Sequence, residues 1–103
     1  MGFLSFLLGN RNKKIKAYLD RGAIILDVRT QREYKSGHIK GSKHIPLDEL
    51  RGRVKELKKL DKAFIVCCAS GVRSSKAAKF LNLNNIDAIN GGGWRSLQSK
   101  LQL

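Results

Sequence analysis

Two neighbouring cysteines, Cys67 and Cys68, end an apolar run that begins at Ala63. A segment of small residues and then Arg73 follow them directly. A cysteine becomes an effective nucleophile when its thiolate is stabilised, and a free thiol with a pKa near ~8.5 is only about 3% ionised at pH 7. The chemistry available to this sequence therefore depends on what surrounds these two thiols.

The residues around the cysteines predict a strand, a tight loop and a helix. The apolar run of residues 63–67 is typical of a strand buried on both faces, and Ser74 to Leu83 is typical of a helix. The first N–H groups of a helix have no partner within it and lie at the positive end of its dipole, so they can hold an anion. Gly71 allows a tight turn, and Arg73 adds a planar cation. We therefore expect a cradle that stabilises a thiolate.

The segment from Cys68 to Arg73 resembles the active-site loop of the rhodanese family of single-domain sulfurtransferases. In that family a cysteine opens a six-residue loop, with glycine at the fourth place and often arginine at the sixth. The segments Leu26–Arg29, Glu33–Leu47 and Asn90–Trp94 also resemble family motifs, in the same order. The resemblance extends from about residue 12 to the C-terminus.

Strands alternate with helices along the chain, which predicts an α/β fold with a mostly parallel sheet and helices on both faces. The apolar runs predict strands at residues 23–28, 42–45, 63–67 and 86–90, and residues 91–93 are expected to be a flexible connection. Helices are expected at residues 13–21, after a capping box of Thr30 and Glu33, from a cap at Asp48, from Ser74 to Leu83, and in a final segment that carries Trp94. The resemblance implies a rhodanese-like sheet of five strands. Residues 1–11 form an apolar segment with a basic start, and residues 12–103 form the domain.

The spacing leaves open which cysteine reacts. Four residues separate Cys68 from Arg73, as in the rhodanese loop, whereas five separate Cys67 from Arg73, as in the cysteine-x5-arginine signature of protein tyrosine phosphatases. The flanking motifs favour Cys68 as the first residue of the loop, with Cys67 ending the strand and pointing into the core. A phosphatase that depends on Cys67 remains the alternative.

The resemblance implies a thiosulfate sulfurtransferase with catalytic Cys68. The Cys68 thiolate would take the outer sulfur of thiosulfate or of a persulfide donor, and the resulting persulfide would pass that sulfur to a thiol or to cyanide. Arg73 would stiffen the loop or bind the oxyanion of the donor, while Asp27 and Arg29 are supporting residues that we interpret as an internal ion pair. The residues expected to bind the substrate are Ala69, Ser70, Gly71, Val72, Arg73 and Ser74. A non-catalytic persulfide carrier or protein-interaction module is a further alternative.

Neither a cofactor nor a metal is expected. His38 and His44 lack the spacing of a zinc motif, and we interpret them as structural. Two adjacent cysteines do not form a disulfide framework, which fits the reducing cytoplasm.

The composition indicates one domain with a strongly basic surface. The chain has 103 residues, with 21 Lys+Arg against 8 Asp+Glu and a net charge of +13. Such a surface attracts anions, so the expected partners are a small anionic sulfur donor, a thiol or protein-cysteine acceptor, and an acidic protein. No nucleic-acid motif accompanies the charge. We expect a monomer.

Residues 1–8 are apolar but far shorter than the roughly 20 residues that cross a bilayer. We expect them to form an N-terminal turn that packs on the domain, with a weak membrane-surface anchor as the alternative.

Overall fold

The computed structural model of the protein describes the backbone of residues 2–101 and the side chains of residues 11–101. Four strands, five α-helices and one 3-10 helix follow one another along these residues. In chain order they are α1 (Gly2–Asp20), β1 (Ile24–Asp27), α2 (Gln31–Ser36), β2 (Lys43–His44), the 3-10 helix (Leu47–Arg53), α3 (Val54–Lys59), β3 (Phe64–Cys68), α4 (Val72–Leu83), β4 (Ala88–Gly93) and α5 (Trp94–Leu101).

The strands form one parallel sheet in the order β2-β1-β3-β4. Asp27 at the end of β1 lies opposite Cys67, and Cys68 at the end of β3 lies opposite Gly93. The carboxyl ends of the three longer strands therefore meet at one edge of the sheet. In open α/β sheets this is the edge where ligands bind.

Alternate residues of β3 enter two different cores. Phe64, Val66 and Cys68 face the layer formed by the 3-10 helix, α3 and α4. Ile65 and Cys67 face the opposite layer, to which Ile15 of α1 and Leu97 of α5 contribute. Successive side chains of a strand point to opposite faces. The predicted parallel sheet with helices on both faces is confirmed, and each cysteine belongs to a different side.

The prediction of five strands is wrong for the described residues, which contain four strands. Apolar runs alone indicated four strands, and only the family resemblance supplied a fifth. Residues 2–20, which precede β1, are helical and so leave no extended segment there to add a strand.

Several predicted boundaries also change. Helix α1 begins at Gly2, well before residue 13 where the helix was predicted to begin, because a glycine within a helix, here Gly9, costs only about 1 kcal/mol. Strand β3 includes Cys68, and β4 includes the glycines predicted to be a flexible connection, since pairing with β3 supplies their partners. Asp48 does not cap a helix: Pro46 precedes the 3-10 helix, and no side chain caps it.

Within the described residues, no helix is both long enough and apolar enough to cross a bilayer. The expected packing of residues 1–8 on the domain, and the alternative of a membrane-surface anchor, depend on side chains that lie outside the described residues.

Gly91 of β4 is expected to be intolerant of any side chain. A Cβ there would lie 2.7 Å from Ile65 Cγ2 and 3.2 Å from Leu97 Cδ2, both in the core. Overfilling a packed core costs about 1–3 kcal/mol, so Gly91→Ala should lower the free energy of unfolding by this amount in urea titrations. Gly52→Ala is the control, because its Cβ would meet no atom within 4 Å. Equal effects of the two substitutions would contradict the predicted overfilling.

Candidate functional site

The site is built on the turn that joins β3 to α4. Residues 69–71, called here the Cys68 loop, connect Cys68 to the first helical residue, Val72. Gly71 precedes the helix with φ +100° and ψ −7°, a left-handed conformation that glycine adopts without a Cβ penalty. This turn brings the first amides of α4 back towards the end of β3, as the sequence predicted.

The Cys68 Sγ atom lies inside a ring of hydrogen-bond donors. The amides of Gly71 and Ser74 donate to it at 3.0 and 3.3 Å, and the Ser74 hydroxyl lies 3.2 Å away. Burial raises the pKa of the Cys68 thiol, but hydrogen bonds from Ser74 and from the Gly71 and Ser70 amides outweigh it, so the pKa lies below its ordinary value. The predicted cradle is present around Cys68.

Cys67 lies on the other face of the sheet, where it packs in the core with Ile15 and Leu97. Burial, with the nearby Asp27 carboxylate, raises the pKa of Cys67 to about 12. The pKa values of these two neighbouring thiols therefore shift in opposite directions from that of an ordinary cysteine. A phosphatase mechanism would need Cys67 as its thiolate, and the environment of Cys67 opposes ionisation.

Cys68 itself is fully buried. The loop residues Ala69 and Ser70 are exposed, and Val72 is 62% exposed. The sulfur is therefore covered by a thin layer of backbone whose side chains face solvent.

Arg73 forms a two-pronged ion pair with Glu33 of α2, with N–O distances of 2.7 and 2.9 Å. The Glu33 carboxylate also accepts a hydrogen bond from the Thr30 amide, completing the predicted capping box. The Arg73 guanidinium and the Thr30 amide lower the pKa of Glu33 to about 2. This pair accounts for the loop-stiffening role predicted for Arg73, while oxyanion binding by Arg73 stays a prediction.

Asp27 and Arg29 form the predicted internal ion pair at the end of β1. The Arg29 Nη2 atom lies 2.7 Å from the carboxylate, and both residues are buried. Arg29 also donates to the Gly37 carbonyl and lies with its guanidinium 4.7 Å from the centre of the Trp94 ring. The pair therefore ties β1 to the end of α2 and the start of α5.

His38 and His44 both stack on Tyr34, with ring centres 3.8 and 4.2 Å away. Their ring nitrogens bond to the carbonyls of Tyr34 and Arg29. Both contacts agree with the structural interpretation of these histidines. No group of three or more His, Cys, Asp or Glu side chains suited to a metal occurs within residues 11–101.

Sequence analysis missed the role of Asn90. Its Oδ1 atom accepts from the Ser74 hydroxyl at 2.7 Å and from the Gly92 amide at 2.9 Å, and its Nδ2 donates to the Gly71 carbonyl at 3.1 Å. Asn90 of β4 is thus bonded to the end of the Cys68 loop at Gly71 and to the first turn of α4 at Ser74. Its place before three glycines and a tryptophan was the available signal, but nothing in that pattern indicated its partners.

A cavity of about 320 Å³ adjoins the Cys68 loop. Ala69 and Trp94 line it, together with Arg29, Glu33 and Arg95. Arg95 is exposed and stacks over the Trp94 ring at 5.3 Å. Because the Arg73 guanidinium is paired with Glu33, Arg95 is the exposed cation at this opening, and sequence analysis did not single it out.

Comparison with known proteins agrees with this geometry. A sequence model of the family described as "Rhodanese-like domain" matches residues 11–100. The chain is 36% identical to the Bacillus subtilis protein YqhL over 84 residues, which cover 80% of this chain and 66% of YqhL. It is 46% identical over 66 residues to the "putative sulfur carrier protein YrkF" of the same organism, covering 64% of this chain and 35% of YrkF. The chain thus spans about two thirds of the first relative and about one third of the second.

Two further similarities cover most of both chains. The "thiosulfate sulfurtransferase GlpE" of Pseudomonas fluorescens is 30% identical over 86 residues, which cover 79% of this chain and 78% of GlpE. The crystal structure of a "rhodanese-like domain protein" from Staphylococcus aureus superimposes with a TM-score of 0.70 at 32% identity, covering 84% of this chain and 86% of that one. The four-stranded parallel sheet, the cysteine-bearing turn and these similarities together show that the chain belongs to the rhodanese-like domain family.

Proposed function

We propose that the protein is a sulfurtransferase that carries a sulfane sulfur on Cys68. The observation that carries this proposal is the convergence of the Gly71 and Ser74 amides on the Cys68 sulfur. These donors favour the thiolate, which is the reactive form of a cysteine. The similarity to the sulfurtransferase GlpE supports the same reaction class.

The reaction would proceed in two balanced steps. The Cys68 thiolate attacks the outer sulfur of thiosulfate, a sulfur–sulfur bond to Cys68 forms, the bond within thiosulfate breaks, and sulfite leaves with the electron pair. An acceptor thiolate then attacks the outer sulfur of the Cys68 persulfide and departs as a persulfide, which regenerates the Cys68 thiolate. Cyanide would leave as thiocyanate in the same way. A persulfide donor replaces thiosulfate in the first step, and a thiol then replaces sulfite.

The cavity beside the loop suits an anionic donor. Arg95 is exposed at its edge, whereas Arg29 and Arg73 are already paired with carboxylates. We therefore propose that Arg95 contacts the donor oxyanion, while the amides of residues 69–74 hold the transferred sulfur. Arg73 acts by keeping the loop in place against α2.

The donor gains access when the Cys68 loop opens. Cys68 is buried, whereas Ala69 and Ser70 are exposed and carry small side chains. Moving these residues exposes the sulfur without disturbing the core. The left-handed Gly71 is the position in this loop that can change conformation at the lowest cost.

We propose that the Ser74 hydroxyl changes its hydrogen-bond partner when Cys68 ionises. Its hydroxyl lies 2.7 Å from Asn90 Oδ1 and 3.2 Å from Cys68 Sγ, and it carries one hydrogen for these two acceptors. With a neutral thiol, the S–H group donates to the Ser74 oxygen while the hydroxyl donates to Asn90. When Cys68 is ionised, the hydroxyl rotates to donate to sulfur and stabilises the thiolate.

A persulfide carrier is the second candidate function. The similarity to YrkF, which is described as a sulfur carrier, favours it, as does the buried position of Cys68, which would protect a persulfide from solvent. A carrier would load sulfur on Cys68 and release it only to a protein cysteine. We further propose a cytoplasmic monomer whose +13 charge attracts an acidic acceptor protein.

Loading of sulfur should depend on Cys68 alone. After exposure to thiosulfate, mass spectrometry of the whole protein should show a gain of one sulfur in the native chain and none in Cys68→Ser, whose transfer of sulfur to dithiothreitol should fall at least about 1,000-fold. Cys67→Ala is the control, since it leaves no unpaired hydroxyl in the core, and its rate should stay within about threefold. Sulfur retained by Cys68→Ser would contradict the proposal. Loading without transfer to any small thiol or cyanide would identify a carrier.

The pH dependence of alkylation tests the thiolate. In Cys67→Ala, where Cys68 is the remaining cysteine, the rate with iodoacetamide should rise with a midpoint below ~8.5, because the hydrogen bonds lower the pKa of Cys68. The rate should decline as the pH falls through the lowered pKa, because the thiolate is then protonated. In Cys68→Ser, the buried Cys67 should stay unreactive up to pH 10, since its pKa is about 12. A midpoint at or above that of a free thiol would remove the physical basis of the mechanism.

Removing the Ser74 hydroxyl should raise the pKa of Cys68. A hydrogen bond to a charged group contributes about 1.5–3 kcal/mol, so Ser74→Ala should move the midpoint of the alkylation profile upward by about one to two pH units. Ser75→Ala is the matched control, because Ser75 is the next residue of α4 and its side chain is exposed. An identical shift in both variants would show that the effect comes from the helix and not from the hydroxyl.

A further inference from the structure

A second cavity lies on the other side of Asn90, against the edge strand β4. Its volume is about 540 Å³, and α1, α4 and β4 form its walls. We call it the basic groove, because Arg11 and Lys14 of α1 and Lys79 of α4 line it. Ligand sites in proteins commonly have volumes of about 300–1,000 Å³, so the groove has the size of a small-molecule site.

The charge of the basic groove is uncompensated. No carboxylate lines it, and none of its three cations takes part in an ion pair among the described residues. The ion pairs of the described residues involve other basic side chains, such as Arg73, which pairs with Glu33. Like charges that converge on one cavity raise its positive potential, and an anion in the cavity lowers their mutual repulsion.

The floor of the basic groove is apolar. Ala78, Ala88 and Ile89 contribute to it, and Leu83, which is 76% exposed, lies at its edge. Inorganic anions gain nothing from such a floor, whereas burying a ring or a chain is favoured at about 25 cal/mol per Å² of apolar surface. The chemistry of the groove therefore fits an organic anion with an apolar body and a sulfonate or phosphate group.

The basic groove is connected to the Cys68 loop by hydrogen bonds. Asn90 lines the groove and donates to the Gly71 carbonyl, and Ser75 lines it and donates its amide to the same carbonyl. Gly71 in turn donates its amide to the Cys68 sulfur. A ligand that contacts Asn90 and Ser75 therefore acts on residues that keep the loop closed.

We propose that the basic groove binds a small organic anion and that its occupancy holds the Cys68 loop closed. The ligand contacts Asn90 and Ser75, which both donate hydrogen bonds to the Gly71 carbonyl while the loop is closed. Opening of the loop would move this carbonyl and so change the wall that the ligand contacts. A ligand that prefers the closed arrangement shifts the population towards it. By linkage, modification of Cys68 that keeps the loop open weakens binding in the groove by the same factor.

Naphthalene-1-sulfonate is a suitable probe, because it combines an apolar ring with a negative charge and offers neither a transferable sulfane sulfur nor a phosphate ester. Titration into the ¹⁵N-labelled protein should give saturable shifts of the amide signals of Ser75, Ile89 and Asn90. Inorganic sulfate and 1-naphthol should each bind at least about tenfold more weakly, since each has only one of the two features. Equal binding of sulfate would show attraction by charge alone and would overturn the proposal.

Charge-reversal variants locate the site. Lys79→Glu and Lys14→Glu change exposed side chains of the basic groove and should weaken binding at least about tenfold. Lys55→Glu on α3 is the matched control, because it changes the net charge equally at an exposed position outside the lining of the groove, and it should alter binding by less than about twofold. Equal weakening by all three variants would indicate a diffuse effect of net charge and would exclude the groove.

The coupling is tested without any sulfur transfer. At saturating probe, iodoacetamide should alkylate Cys68 of the Cys67→Ala variant more slowly, and the effect should disappear in Cys67→Ala with Lys79→Glu. Saturable binding with an unchanged alkylation rate would overturn the coupling. These measurements do not require the protein to transfer sulfur, so their failure is distinguishable from failure of the proposed function.

Discussion

The structure depends on hydrogen bonds that favour the ionised form of one buried thiol, that of Cys68. Burying an ionised group is costly unless hydrogen bonds replace its solvation. At Cys68, the amides of Gly71 and Ser74 donate to the sulfur and the Ser74 hydroxyl lies within hydrogen-bond distance of it, and these contacts outweigh burial in setting the pKa. Cys67 is equally buried but faces a hydrocarbon core, and its pKa moves in the opposite direction. The two thiols therefore differ because hydrogen-bond donors offset the burial of Cys68, whereas the nearby Asp27 carboxylate adds to the effect of burial at Cys67.

The donors keep their positions because distant parts of the chain hold the turn. Glu33 of α2 pairs with Arg73 on one side of it, and Asn90 of β4 bonds to Gly71 and Ser74 on the other. Glu33 also bonds to Thr30 in the capping box. One carboxylate therefore contacts both the start of α2 and, through Arg73, the start of α4. A loop clamped from two sides presents its amides in a fixed direction, and such preorganisation is what makes hydrogen bonds to a charge effective.

Local patterns predicted the parts of the site that arise from local physics. Strand alternation correctly placed Cys67 and Cys68 on opposite faces, the small residues and Gly71 predicted the turn, and the spacing of Thr30 and Glu33 predicted a capping box. Asp27 and Arg29, two residues apart, were also predicted to pair. In each case the deciding contacts lie within a few residues of one another.

What the sequence did not reveal depends on contacts between distant residues. Arg73 and Glu33 are forty positions apart, and no periodicity connects them. The glycines of β4 have little intrinsic preference for a strand, and they adopt one because β3 lies alongside. The fifth strand was inferred from resemblance alone, and the residues before β1 are helical.

The fold also determines which of the surplus positive charges lie near the Cys68 loop. Ion pairs engage Asp27, Glu33, Glu49, Glu56 and Asp87, so most of the few carboxylates neutralise a specific partner. Arg95 beside the loop and the three cations of the basic groove are among the many basic side chains that no ion pair engages within the described residues. A positive field attracts anions of many kinds, and attraction alone cannot select a sulfur donor. An anion drawn to either cavity by this field still has to reach a sulfur atom that is fully buried. Oxidants react most readily with exposed thiolates of low pKa, so the buried position of Cys68 allows its pKa to be lowered while the sulfur stays protected from oxidation.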